Sequence, residues 1–192
     1  MEMWASMNLK VLYKVILLGE GAVGKTTLKK YYLAGEFTEN TRATIGVEFA
    51  THMANVNVLG QNLSVKMSIW DVAGQKQFKM MRDNFFRGSK GAIVVYDVTR
   101  RFTFESLRND WITPFWNSLG KKEPLIIVAN KIDLVDSREV TRSEGEAFAQ
   151  ELTNETGIEI PYIETSAKEG QNVSDAFEIL IKNVIIENKV LE

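Results

Sequence analysis

Short apolar runs bounded by glycine and polar residues alternate along the chain with longer stretches in which apolar positions recur every third or fourth residue. The short runs predict strands near Val11–Leu18, Gly46–Val58, Leu63–Asp71, Ala92–Asp97, Leu125–Asn130 and Tyr162–Thr165. The periodic stretches predict helices near Lys25–Leu33, Lys76–Arg87, Phe104–Leu119, Arg142–Thr153 and Asn172–Asn188, each opening close to a polar or glycine-containing loop. Such regular alternation predicts an α/β protein in three layers, α/β/α, with a mostly parallel sheet and about five helices rather than segregated layers. One strand pair departs from the parallel pattern. The turn Leu59–Asn62, with Gly60 at its centre, is short enough to join its flanking strands as an antiparallel hairpin. Residues Met1–Asn8 precede the first strand and read as an extension, residues 9–188 as one domain and residues 189–192 as the start of a tail. No internal repeat, low-complexity stretch or linker interrupts this order.

Composition narrows what that fold can do. A chain of 192 residues, 45% hydrophobic, supplies one core of ordinary size and no second domain. With 23 basic and 25 acidic residues, no basic stripe argues for nucleic acid, and recognition has to be sought in local sites. The absence of cysteine excludes disulfides, thiolate metal sites and thiol nucleophiles, and a single histidine, His52, leaves oxygen as the expected metal donor. His52 itself reads as a surface or satisfied histidine in an alternating strand. No apolar run reaches the roughly 20 residues of a membrane span, and no signal peptide is visible, so a cytoplasmic location is expected, with peripheral membrane contact left open.

The chemistry starts where the first strand ends. Gly19-Glu20-Gly21-Ala22-Val23-Gly24-Lys25-Thr26 fits the GxxxxGK(S/T) pattern, follows an apolar strand and opens a helix, the context that a phosphate-binding loop requires. Glycines let backbone N–H groups turn toward a phosphate, the helix N-terminus adds positive dipole, Lys25 brings a point charge and Thr26 a hydroxyl for Mg2+. This loop predicts a P-loop nucleoside triphosphatase fold.

The base is selected further along, at the carboxyl ends of two later strands, where wound sheets place their ligands. Asp133 in Asn130-Lys131-Ile132-Asp133 can accept from both N1–H and the exocyclic amine of guanine, whereas adenine offers neither donor. Such a paired site can reject the wrong analogue by as much as about 10⁴-fold. Thr165-Ser166-Ala167-Lys168 follows the last strand and resembles a SAK motif, in which the Ala167 N–H would meet the guanine O6.

These motifs resemble the Ras superfamily over about residues 9–188, the two base segments standing for its NKxD and SAK motifs. Several details are similar to the Rab branch: Thr44-Ile45-Gly46-Val47-Glu48-Phe49, Ser68-Ile69-Trp70-Asp71-Val72-Ala73-Gly74-Gln75, Phe85-Phe86-Arg87-Gly88 and Val94-Val95-Tyr96-Asp97-Val98-Thr99. The resemblance implies a GTP-binding, slowly GTP-hydrolysing switch that uses GTP, GDP and Mg2+, acting as a monomer, with vesicle or membrane traffic as the associated setting. It implies nucleotide contacts from Gly21, Ala22, Val23, Gly24, Lys25, Thr26, Thr27, Phe37, Thr44, Gly74, Asn130, Lys131, Asp133, Ser166, Ala167 and Lys168. Mg2+ would be held by Thr26, Thr44 and, through water, Asp71. Catalysis would rest on Gln75, Lys25, Thr44 and Gly74, with Gln75 orienting the attacking water and the Thr44 and Gly74 N–H groups touching the γ-phosphate. Gly21 leaves room for Gln75. Effectors, exchange factors and activating proteins would read Ala34–Phe49 and Val72–Arg87, and the segments Ala34–Ile45 and Val72–Arg87 would reorder when the γ-phosphate is lost.

Some positions depart from the pattern or resist it. Lys76 stands where most Rab proteins carry Glu, a charge reversal beside Gln75 that bears on partner recognition rather than on nucleotide binding. The chain reaches Glu192 without the prenylated cysteines of Rab tails, which fits either a truncated sequence or an unprenylated protein. Met1, Met3, Trp4, Met7 and Leu9 outline a weak amphipathic segment, for which an ordinary terminus is the simpler reading. Arg42, two residues before Thr44, raises the idea of a cis-acting cation against the plainer one of a solvated arginine. Met80, Met81, Trp70 and Phe49 suit an apolar partner patch or core packing equally, and Asp97 and Thr99 end a strand facing the site, where an ordinary strand end suffices to explain them. Two other classes stay open: a GTP-bound scaffold without hydrolysis, against which Gln75, Gly21 and Thr44 argue, and a P-loop ATPase or small-molecule kinase, against which Asp133 argues.

Overall fold

Val94, Val95 and Tyr96, like Leu125 through Ala129, are apolar without alternation, and a strand of that kind needs cover on both faces. A computed structural model, which describes residues 7–37, 44–74 and 82–188, provides it. Strands β1 (Met7–Leu18), β2 (Val47–Val58), β3 (Gln61–Val72), β4 (Ser89–Asp97), β5 (Leu125–Asn130) and β6 (Tyr162–Thr165) form one six-stranded sheet in the order β2-β3-β1-β4-β5-β6. Every neighbouring pair is parallel except β2 with β3, as the sequence predicts.

Period-two alternation divides the core in two. Tyr13, Val15 and Leu17 of β1 face α1 (Lys25–Ala34) and α6 (Val173–Glu187), whereas Ile16 and Leu18 face the other layer. That layer holds α2 (Arg82–Phe86), α3 (Arg101–Glu105), α4 (Thr113–Leu119) and α5 (Arg142–Thr156). Phe86, Trp111, Phe115 and Leu152 fill it. The α5 helix starts on a capping box, in which Thr141 and Glu144 satisfy each other's backbone N–H groups.

Among the differences from the expected element bounds, three have a clear physical reason. The β2–β3 hairpin closes through Leu59 (φ 50°) and Gly60 (φ 81°), so pairing resumes at Gln61 rather than Leu63. β1 begins at Met7, where Met7–Leu9 continue the parallel pairing with Leu63–Val65 across a register shift. The helix expected over Phe104–Leu119 starts at Arg101 and is broken into α3, a π-helical turn over Leu107–Ile112, and α4, giving six α-helices among the described residues. Pro114 lacks an N–H and its ring would clash with the carbonyl four residues back, and the wider turn avoids that clash. The Thr113 N–H accordingly reaches Arg108 O, five residues back. Of the helix expected over Lys76–Arg87, residues 82–87 are described, and Arg82–Phe86 of them are helical. No helix of the described residues is long and apolar enough to cross a membrane.

Candidate nucleotide site

Parallel register brings the ends of β1, β4, β5 and β6 to one edge of the sheet. Leu18 pairs with Val94, Asp97 with Asn130, and Asn130 with Thr165. The loop after β1 then turns sharply into α1. Gly19 (φ 134°) lies so close to the Val95 carbonyl that a Cβ would overlap it, and Gly24 (φ 105°) packs against the Asn130 amide with the same consequence. Only glycine fits both the backbone angle and the space at these two positions. Lys25 is buried and folds back over the loop, its ammonium donating to Gly19 O at 2.7 Å and Glu20 O at 2.8 Å.

Asn130 acts as a clamp. Its amide donates to Val23 O at 2.8 Å, while its Oδ1 accepts from the Thr165 hydroxyl at 3.1 Å and the Ala167 N–H at 3.0 Å. One buried side chain therefore ties the phosphate loop to the β6 loop. The Ala167 N–H, which the resemblance assigns to guanine O6, already has Asn130 as a partner. Ser166 Oγ donates to Asp133 Oδ1 at 2.7 Å, which fixes that carboxylate's direction. Beside it opens a cavity of about 230 Å³ lined by Gly24, Thr27, Phe37, Asn130, Lys131, Asp133, Leu134, Ala167 and Lys168. Phe37, read in the sequence as either a ring against the base or a core residue, lines this cavity and is 38% exposed.

A second convergence lies on the other side of the loop. Thr26 Oγ1 donates to Asp71 Oδ2 at 2.5 Å, and the Thr44 hydroxyl lies 2.9 Å from that of Thr26 and 3.5 Å from the same carboxylate oxygen. Asp71 is fully buried, and its Oδ1 has no hydrogen-bond partner. A buried carboxylate oxygen left this way requires a donor or a cation. Two hydroxyls and one carboxylate form an all-oxygen set that suits Mg2+, which keeps several of its waters. Gly74 presses against the loop so closely that a Cβ would overlap the Glu20 backbone, and the Ala73 N–H donates to Gly46 O at 2.9 Å, joining the two segments that flank the site.

Two charged residues at this edge, Arg100 and Lys29, were not placed there by sequence reasoning, and a third, Asp97, was placed at a strand end facing the site but given no role. Asp97, read as an ordinary strand end, is instead a buried hub: Lys131 Nζ lies 2.6 Å and Arg100 Nε 2.8 Å from its Oδ2, while Thr99 donates to Oδ1 from both N–H and hydroxyl. Burial alone would raise its pKa, but hydrogen bonds from Lys131, Thr99 and Arg100 outweigh that and hold it below the usual carboxylate value. Arg100 also donates to Gly21 O at 3.0 Å. Lys29, buried on α1, ion-pairs with Glu48 and Asp71. One signal for Asp97 was available, a carboxylate ending a buried strand at the edge that carries Asn130. Gln75 and Arg42 lie outside the described residues, as do Lys76, Met80 and Met81.

Comparison with known proteins agrees with this geometry. Residues 14–186 match the model of the Ras family. The chain is 37% identical over 182 residues to the Ras-related protein RABA5a of Arabidopsis thaliana, covering 94% of this chain and 77% of that protein. It is 34% identical to the GTP-binding protein ypt3 of Schizosaccharomyces pombe, over 94% of this chain and 80% of that one. Against Ras-related protein Rab-11C of Dictyostelium discoideum the identity is 35%, over 90% and 72% respectively.

Proposed function

The chain belongs to the Ras family and is a Rab-like GTPase, and from that premise we propose that it works as a slow guanine-nucleotide switch whose GTP form is read by partners in membrane traffic. The observation that carries this reading is the cavity walled by Asp133, Ala167, Lys131 and Phe37 and opening onto Gly24 and Thr27 of the phosphate loop. Base and phosphates of one nucleotide fit side by side along that edge.

In this reading Asp133 accepts from the guanine N1–H and amine, and the Ala167 N–H is shared between Asn130 and the base oxygen. Lys25, held over the loop by two carbonyls, sets its charge against the β- and γ-phosphates. Thr26, Thr44 and, through water, Asp71 would hold Mg2+, which when bound neutralises phosphate charge. Gln75 orients the attacking water, and hydrolysis stays slow because phosphoryl transfer needs a further cation that a partner provides. Thr44 and Gly74 sense the γ-phosphate, so its loss changes the segments Ala34–Ile45 and Val72–Arg87. Partner binding is supported by the exposed face beside them: Ile45 is 82% exposed, and Phe49, 65% exposed, stacks on Trp70 with ring centroids 5.4 Å apart.

The test is identification of the nucleotide on purified protein, followed by single-turnover phosphate release from bound GTP with and without Mg2+. Bound guanine nucleotide with slow, Mg2+-dependent release is the expected result. Guanine nucleotide with no release would leave a scaffold that does not hydrolyse, and no preference for guanine over adenine would overturn the reading.

A further inference from the structure

Lys29 stands three residues after Thr26 on α1, and residues so spaced share one helix face. Both side chains therefore reach the same carboxylate. The Lys29 ammonium lies 3.6 Å from Asp71 Oδ2, the oxygen to which Thr26 donates, and 3.1 Å from Glu48 Oε2. The lysine side chain is 6% exposed and that of Asp71 is inaccessible, so salt screens their interaction little. Glu48 is 57% exposed and lies just beyond Thr44, in the strand that follows the first switch segment.

We propose that Lys29 is a resident cation at the metal site, which weakens the grip of Asp71, Thr26 and Thr44 on Mg2+ and makes nucleotide retention less dependent on that ion. The inference rests on the nucleotide-switch reading. Its sign follows from charge. A divalent ion arriving at Asp71 meets a positive charge that stays close by, because the stem of Lys29 is buried and its other partner, Glu48, stands directly opposite Asp71 across β2 and β3. When the ion leaves, the ammonium still neutralises part of the Asp71 charge facing the phosphates, so the nucleotide is repelled less than it would be by a bare carboxylate. Glu48 moderates both effects by sharing the ammonium with Asp71.

The experiment measures release of a fluorescent GDP analogue from the full chain across buffered free Mg2+, including EDTA alone. Lys29→Met keeps the apolar stem and removes the charge. It should lower the Mg2+ concentration at half effect about tenfold, equivalent to about 1.4 kcal/mol, and should speed release in EDTA relative to the parent protein. Lys29→Arg keeps the charge and should hold the midpoint within about twofold of the parent. Glu48→Gln, which leaves the ammonium to Asp71 alone, should move the midpoint in the opposite direction to Lys29→Met. A Lys29→Met midpoint equal to the parent's would overturn the proposal, and so would an unshifted Glu48→Gln midpoint if Lys29→Met failed to fold. Absence of guanine-nucleotide binding at every Mg2+ concentration would sink the parent reading and this inference with it.

Discussion

Asp133 receives one hydrogen bond, from Ser166, and borders the cavity that Phe37 and Ala167 also line. Its replacement by alanine removes an acceptor for two guanine donors. Hydrogen bonds to a charged group contribute about 1.5–3 kcal/mol each. Asp133→Ala should therefore weaken GDP and GTP at least about a hundredfold, read by equilibrium titration, while thermal unfolding of the nucleotide-free protein shifts little. At Gly24 backbone and space act together. A Cβ there meets the Asn130 amide, and the residue sits at φ 105°. Gly24→Ala should lose the Asn130–Val23 hydrogen bond as well as incur backbone strain, destabilising the fold by roughly 2–3 kcal/mol in denaturant titrations. Both residues were legible in sequence because their motifs name them. Asn130 was legible as a residue but not as a clamp, since its partners Val23, Thr165 and Ala167 are brought to it only by strand register.

Between elements, the links that matter run sideways across strand ends. Asp97 closes β4, Lys131 follows β5, and Arg100 leads back to the loop after β1 through the Gly21 carbonyl. This chain joins the base-binding and phosphate-binding segments, which have to loosen together for nucleotide to depart. Arg100→Ala should accelerate GDP release several-fold, about 1 kcal/mol, with the Mg2+ dependence unchanged, and Arg100→Lys should recover part of the effect because an ammonium reaches one acceptor better than two. Unaltered release in Arg100→Ala would show that the link is idle. A second link holds α2 to the sheet. Lys14 donates to the Phe85 and Arg87 carbonyls at 2.6 and 2.9 Å while its ammonium lies 3.7 Å from the Trp70 ring centroid. Strand order and the single hairpin were readable from apolar runs and Gly60. The broken third helix was not, because periodicity counts apolar positions and is blind to the N–H missing at Pro114. Nor was Lys29 readable, since a lysine on a predicted helix counts as solvated until a carboxylate on another element is found facing it.

For the molecule as a whole, one strand sets how it fails at both ends of the pH scale. Successive residues of β4 point to opposite faces, so Tyr96 enters the core against Tyr162 while Asp97 serves the nucleotide edge. Asp97 titrates below its usual 3.8 in the folded state, so its contribution is complete above that pH and is lost as pH falls through the folded value. Acid should therefore leave the Asp97 link to Lys131 and Arg100 intact until the pH is below the usual carboxylate range, so release of bound nucleotide should not precede global unfolding as pH falls. At the alkaline end the sign reverses. Burial pushes Tyr96 from 10.0 up to about 12, so the folded protein keeps a proton that the unfolded chain surrenders. Stability should be flat below pH 10 and decline between about 10 and 12, by roughly 2 kcal/mol for this group, since each tenfold difference in proton affinity between the folded and unfolded chain is worth about 1.4 kcal/mol. Tyr32, also raised to about 12 by burial and by Glu178, adds a parallel decline. Tyr96→Phe removes one of these groups along with a 3.4 Å contact to the Tyr162 hydroxyl. Denaturant titrations at pH 9, 10, 11 and 12 should show a shallower alkaline slope in the variant and little difference at pH 7. An identical slope in the two proteins would mean that Tyr96 reaches solvent before the fold opens and that the core over β4 is looser than its packing indicates.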